Sequence, residues 1–145
     1  MQIKNIMTQN VSVARPGTGI AEIARKMRDE DIGSMPVVEN ERLIGMVTDR
    51  DLVIRVLATE QDLRVVTARD AMSPNVMHCF DDQQVEEVLA NMGAMQVRRV
   101  PVIDRDKRLV GVVSLGDLSK AAAYEAGGAL GKISRPSRHW RPSRH

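Results

Sequence analysis

Two short segments of the chain carry the groups needed to grip a phosphorylated sugar. They are Gly45-Met-Val-Thr48-Asp-Arg-Asp51 and Gly111-Val-Val-Ser114-Leu-Gly-Asp117. Each reads as an apolar strand that ends in a hydroxyl and opens a helix, with a carboxylate three residues on. The unpaired N–H groups and the dipole of a helix N-terminus attract phosphate. A Thr or Ser hydroxyl at that point can donate to a phosphate oxygen, and an Asp carboxylate, an acceptor only, suits the paired hydroxyls of a sugar. Glycine in the strand lets a base or a backbone come close. The same residues also have a purely structural reading. Thr48 and Ser114 are equally good N-caps, and Asp51 and Asp117 are equally good partners of the helix dipole. Duplication does not separate the two readings, because a duplicated cap would look the same.

The duplication extends over most of the chain. Met7-Thr8, Val11, Ile20, Ile23, Ala24, Met27, Ile32 and Pro36-Val37 recur 65 positions later as Met72-Ser73, Val76, Val85, Val88, Leu89, Met92, Val97 and Pro101-Val102. Beyond the Pro-Val pairs the spacing becomes 66, so that Gly45, Val47-Thr48 and Asp51-Leu52 return as Gly111, Val113-Ser114 and Asp117-Leu118. The extra residue falls in a polar turn, Glu39-Asn-Glu-Arg42 in the first copy and Asp104-Arg-Asp-Lys-Arg108 in the second. An internal repeat decides the architecture and has to be recognised first.

Each copy reads strand, helix, strand, strand, helix. Val11–Val13 and Val76–His78 are short extended runs. Ile20, Ile23, Ala24 and Met27, matched by Val85, Val88, Leu89 and Met92, form one helical face. Met35–Val38 and Val100–Ile103 then pair as hairpins with Leu43–Val47 and Leu109–Val113. Closing helices are expected over 49–58 and 116–126. The strand-helix-strand step implies a parallel crossover and the hairpin an antiparallel pair. The fold class is therefore α+β: two tandem β-α-β-β-α repeats with small mixed sheets flanked by helices. The expected organisation is repeat 1 over 1–58, a linker over 59–67, repeat 2 over 68–126 and a basic, disordered tail over 127–145.

Bulk properties narrow the function. Units of about 60 residues are marginal alone, so the halves are expected to share a core. Of 21 basic residues, Lys132, Arg135, Arg138, Arg141 and Arg144 lie in the tail without any acid, which leaves 16 basic against 19 acidic residues elsewhere. The body is thus no obvious nucleic-acid binder. The tail repeats Arg-Pro-Ser-Arg-His around Trp140, and a disordered end is preferred there over a nucleic-acid contact. No apolar run approaches the roughly 20 residues of a membrane span. Cys79 is the single cysteine, and the opening Met1-Gln-Ile-Lys lacks a secretory apolar segment. A cytoplasmic protein without membrane or nucleic-acid partner is expected. Nine Met residues, with Val and Ile, fill a core that has one Phe, one Tyr and one Trp in reach.

Taken together, Met-Thr/Ser near each start, apolar-Pro-Val before the hairpin and Gly-x-x-Thr/Ser-x-x-Asp after it resemble a tandem pair of CBS domains. That regulatory repeat was first noted in cystathionine β-synthase. All three motifs occur in both halves and cover about residues 1–124. The resemblance implies repeats related by a pseudo-twofold axis, with AMP, ADP, ATP or S-adenosylmethionine bound as a regulatory ligand in the clefts between them and no cofactor required. It implies that Asp51 and Asp117 hold the ribose and that Thr48 and Ser114 lie near phosphate. Family members with phosphorylated ligands often carry a basic residue before the Pro-Val strand. Arg98 and Arg99 stand there in the second repeat and Gly33-Ser34 in the first. Arg98 and Arg99 are therefore the leading phosphate ligands, with Arg50 a further candidate, since guanidinium forks suit phosphate. Solvated charges are the competing reading. Neighbours on a strand diverge, so one of Arg98 and Arg99 is expected to face the ligand, and the first cleft is expected to be the weaker. With almost no aromatic residue available for stacking, the adenine is expected in an aliphatic slot, and the resemblance implies Val11, Val13, Met35, Val76, His78 and Val100 as its walls.

The resemblance further implies a homodimer, formed through the helices. Leu52, Val53, Ile54, Val56 and Leu57 leave one short helix apolar on more than one side. A stand-alone pair of this kind signals to a separate effector protein, which remains unidentified. The alternative is a structural adaptor with unoccupied clefts. No acid-base pair or nucleophile-base set points to an enzyme. His78 and Cys79 diverge on a strand, and with Asp81 and Asp82 they lack zinc spacing.

Overall fold

The two expected helical faces form at the same offset. In the computed structural model, which describes residues 1–95 and 98–126, helix α1 spans Ile20–Glu30 and buries Ile20, Ile23 and Met27. Helix α4 spans Val85–Met95 and buries Val85, Val88 and Met92. Ala24 falls at the exposed margin of its stripe. The tail over 127–145 lies outside the described residues. α1 stops where Asp31 turns left-handed (φ 52°) while its N–H donates to the Met27 carbonyl, a conformation that Asp tolerates better than most residues. The acids at this end, disfavoured by the dipole, have local partners. Arg28 donates to Asp29 at 2.8 Å, and the Ser12 hydroxyl lies 2.6 and 2.7 Å from the two Glu30 oxygens.

Strands β1 (Ser34–Glu39) and β2 (Arg42–Thr48) pair antiparallel. Asn40 and Glu41 both take positive φ, 52° and 67°, as a two-residue hairpin matched to the right-handed strand twist requires. In the second repeat β3 (Cys79–Phe80), β4 (Arg99–Ile103) and β5 (Leu109–Ser114) form one sheet in the order β3-β4-β5. The parallel step is present in both copies and falls later in the chain than the apolar runs suggest. Ala14 bridges Val37, and Cys79–Phe80 pairs with Val102–Ile103, whereas Val11–Val13 and Val76–His78 form no strand. The prolines supply the reason. Ala14 N–H donates to the Pro36 carbonyl at 2.9 Å and Val38 N–H to the Ala14 carbonyl at 2.8 Å. The next rung back would need an N–H on Pro36, and in the second copy on Pro101, which neither has.

The closing helices differ. α5 spans Leu115–Glu125, close to the expected range. The first copy begins as α-helix, α2 (Asp49–Asp51), and continues as a π-helix over Leu52–Leu57. Ala58 N–H donates five residues back to the Val53 carbonyl at 2.8 Å, and Gln61 N–H to Val56 at 3.3 Å. The Arg55 carbonyl accepts instead from the Thr59 hydroxyl at 2.7 Å and the Gln61 side-chain amide at 2.9 Å. π-Helical turns are rare and tend to mark functional positions. Val56 is buried, while Val53, Ile54 and Leu57 are about half exposed.

Two compact units result, and their boundaries cut across the sequence repeats. Among the described residues, one holds 11–77 with 107–109; the other holds 1–10, 78–95, 98–106 and 110–126. Within the first, Ser73 pairs with Met46 through N–H···O bonds of 2.8 and 3.1 Å, and α3 (Ala68–Ala71) is tied by Ala68 N–H to the Thr18 carbonyl at 2.8 Å. Its core gathers Ala14, Ile23, Met35, Val37, Val47, Val56, Val66 and Ala71. Within the second, Thr8 pairs with Val112 at 2.9 and 3.0 Å, and Ile3 N–H reaches the Gln83 carbonyl at 2.9 Å. The Met-Thr/Ser segment that opens each repeat thus completes the unit built on the other repeat's hairpin. Glycine makes this possible. A Cβ on Gly45 would stand 2.8 Å from the Ser73 carbonyl oxygen, and one on Gly111 would stand 2.7 Å from that of Thr8.

Gly45→Ala and Gly111→Ala should each lower the unfolding free energy by about 1–3 kcal/mol, because a backbone carbonyl has to move. Gly93→Ala, at an exposed position of α4 where a Cβ meets nothing within 4 Å, should raise it by about 0.5–1 kcal/mol. Urea denaturation of the three variants checks both signs.

Candidate functional site

Both hydroxyls of the duplicated motif are helix caps, and the two junctions are built differently. Thr48 is extended (φ −112°, ψ 162°). Its hydroxyl accepts from Asp51 N–H at 3.0 Å, while the Asp51 carboxylate accepts from Thr48 N–H at 2.9 Å. This is a reciprocal capping box, with Asp in the place usually held by Glu. At the second junction the Ser114 hydroxyl accepts from Asp117 N–H at 3.0 Å, but the return bond is missing. Asp117 is exposed, and its carboxylate makes no hydrogen bond or ion pair among the described residues. A capping hydroxyl that accepts one N–H keeps its own proton and a second lone pair. The structural role of Thr48 and Ser114 therefore leaves them able to donate to a ligand.

The first amide of each helix is also spoken for in a repeated way. Asp49 N–H donates to the Gly33 carbonyl at 2.9 Å, and Leu115 N–H to the Arg98 carbonyl at 2.7 Å. The residue before the Pro-Val strand is thereby held at the helix start, which brings the Arg98 main chain to the Ser114–Asp117 turn. At the next position Arg50 N–H donates to the Asp49 carboxylate at 2.8 Å. Its counterpart Gly116 is exposed and has no side chain to offer. Arg50, Arg98 and Arg99 are all exposed.

Arg55 and Asp49 belong to the first junction as well, although the motif ends before the one and leaves the type of the other unspecified. Arg55 Nε stands 3.6 Å from the second Asp51 oxygen, whose side chain is 13% exposed, and Arg55 Nη1 donates to the Met72 carbonyl at 3.0 Å. A cation four residues after an Asp on a helix is the sequence signal that would have found it.

The residues expected to line an adenine slot fall into three groups. Met35 and Val100 are fully buried, Met35 within the core of its unit. Val11, Val13 and Val76 are half-buried, and His78 is exposed. His78 meets Phe80 edge-on with ring centroids 5.8 Å apart. Arg105 covers Phe80 at 4.0 Å and forms a two-pronged pair with Asp82 at 2.9 and 2.7 Å. Cys79 points the other way and is buried. Desolvation, helped by the Asp81 charge, pushes its thiol up to about 12, which suppresses the reactive thiolate near neutral pH. Among the described residues no group of three or more His, Cys, Asp or Glu could hold a metal ion, and no helix is long and apolar enough to cross a membrane.

This fold and these junctions define a CBS-domain pair. The CBS domain family model matches the chain twice, over residues 3–58 and 68–124, and the chain belongs to that family. It is 40% identical over 138 residues to the uncharacterized protein YlbB of Bacillus subtilis (strain 168), covering 92% of this chain and 91% of that one. Among solved structures it resembles Hypoxic Response Protein I, crystallised with two coordinated zinc ions, at 35% identity and a TM-score of 0.75, over 83% of this chain and 98% of that one. CBSX2, crystallised in complex with AMP, shares the fold at 24% identity and a TM-score of 0.75, over 87% and 98% of the two chains.

The caps and carboxylates separate by mutation. Thr48→Ala and Ser114→Ala should each cost about 1 kcal/mol of stability. Asp51→Ala should cost a similar amount, because Thr48 N–H loses its acceptor, whereas Asp117→Ala should stay within about 0.5 kcal/mol of the parent. Equilibrium urea melts measure all four.

Proposed function

We propose that the chain is a regulatory module that binds an adenosine nucleotide (AMP, ADP or ATP) or a related adenosyl ligand such as S-adenosylmethionine, and signals its occupancy to a separate effector protein. The observation that carries the proposal is the exposed Asp117 carboxylate. It stands at a hydroxyl-capped helix start and has no partner among the described residues. An acceptor left open beside a donor hydroxyl matches a ribose next to its phosphate. Asp117, and Asp51 in the first repeat, would take the ribose hydroxyls. Ser114 and Thr48 would donate to phosphate, and Arg98, Arg99 and Arg50 would supply charge. Val11, Val13, Met35, Val76, His78 and Val100 are the residues proposed for the base. That a protein of the same fold holds AMP is in keeping with this ligand class.

Signalling follows from linkage. A ligand shifts whichever conformation or assembly it binds better, by no more than its difference in affinity for the two states. A homodimer would be one such assembly. The helix after Thr48 offers Val53, Ile54 and Leu57 at its surface, with Leu63 and Val65 also exposed on the segment beyond it. This apolar surface also favours a second reading, in which assembly itself is the function and the junctions stay empty.

Thermal melting decides between them, since a ligand that binds only the folded form raises the melting temperature. AMP, ATP or S-adenosylmethionine at millimolar concentration should raise it, and Asp117→Ala should abolish the largest shift without altering the melt of the free protein. No shift with any of the three leaves the adaptor. Ile54→Glu with Leu57→Glu should convert a dimer to monomer in sedimentation equilibrium; an unchanged mass would remove this face from the assembly.

A further inference from the structure

Building on the proposed adenosyl ligand, and resting on that reading, we infer that the two junctions are unequal. Asp49 and Arg55 close the first junction from within, so that this chain takes its ligand at the Ser114–Asp117 junction, and these two residues determine which repeat is occupied.

The first junction satisfies itself. Its three leading amides are all engaged: Asp49 N–H by the Gly33 carbonyl, Arg50 N–H by the Asp49 carboxylate at 2.8 Å and Asp51 N–H by the Thr48 hydroxyl at 3.0 Å. Both oxygens of Asp51 are engaged too. One accepts from Thr48 N–H at 2.9 Å, and the other faces Arg55 at 3.6 Å. Arg55 is not free to swing away without loss, because its Nη1 holds the Met72 carbonyl at 3.0 Å. A ribose approaching Asp51 must displace a guanidinium. A phosphate approaching the helix start meets the Asp49 carboxylate, a like charge that occupies the amide an anion would use.

The second junction lacks both devices. The positions corresponding to Asp49 and Arg55, 66 residues on, are Leu115 and Ala121. Leu115 brings no charge and Ala121 no donor, and Asp117 is left exposed with its carboxylate unengaged among the described residues. The same chemistry that makes the Thr48 junction the better cap makes it the poorer site. The closure acts through carboxylate and guanidinium groups, so it is readable as stoichiometry.

The experiment is isothermal titration of AMP into the full chain. The parent should bind one AMP per chain, with the first junction at least about tenfold weaker, the worth of one hydrogen bond to a charged group. Asp117→Ala should remove that event. The double variant Asp49→Leu, Arg55→Ala gives the first junction the residues found in the second, and it should bind a second AMP that disappears on adding Asp51→Ala. Arg55→Gln, which keeps a polar chain without the charge, should move the result the same way and guards against a folding defect in the double variant. Two AMP per chain bound with equal affinity by the parent, or one per chain in a folded double variant, overturns the closure while leaving the adenosyl reading standing. The titration is repeated with ATP and S-adenosylmethionine where AMP does not bind; none of the three bound by the parent or by the double variant overturns the adenosyl reading itself, and the closure with it.

Discussion

A backbone carbonyl lodged against a glycine is the contact on which each compact unit depends. At Gly45 the neighbour is Ser73, and at Gly111 it is Thr8. Any side chain at these positions would hold the opening segment of the partner repeat away from the hairpin. The bridges Met46–Ser73 and Thr8–Val112 would then lose their hydrogen bonds. The cost would not be local, since buried N–H and C=O groups left unpaired cost more than the bond itself was worth. The two glycines also stand three residues before Thr48 and Ser114, so the contact that closes each unit sets the end of the strand from which the helix springs.

The same cap atoms leave room for the ligand role proposed for them. A hydroxyl that accepts the third amide of the helix fixes the turn and still has a proton to donate. The capping reading and the ligand reading of Thr48 and Ser114 are therefore compatible. What separates the junctions is the carboxylate. Asp51 returns the hydrogen bond and stabilises its helix start, while Asp117 does not. In a short helix wound partly as π, that added hold at Thr48 has a plain structural use. The regular α5, eleven residues long, does not need it.

The lone cysteine and the acidic cluster illustrate how context empties a chemically suggestive residue. Burial on β3 keeps the Cys79 thiol protonated, and the exposed His78 turns to Phe80 instead of to it. Of the three acids at the end of α1, Asp29 takes a neighbouring guanidinium, Glu30 a hydroxyl, and Asp31 serves as the left-handed stop of the helix.

The amino-acid sequence by itself determined the repeat, the two helical stripes, the hairpins and the hydroxyl-to-carboxylate spacing, because each of these is local. Side-chain period and turn chemistry act over a few residues, and duplication makes each signal visible twice. The parallel pairing falls later than the apolar runs for a reason that is also in the sequence: Pro36 and Pro101 remove the rung that Val11–Val13 and Val76–His78 would need. Only the tertiary structure decided which segments complete which unit, since the exchange of Met7-Thr8 and Met72-Ser73 depends on contacts between residues far apart in the chain. It alone decided the π winding after Asp51, where Thr59 and Gln61 take up the displaced carbonyl. It also decided that one carboxylate is engaged and its twin is open: Asp51 accepts from Thr48 N–H where Asp117 makes no return bond, and its second oxygen faces Arg55, held by Met72 seventeen residues away.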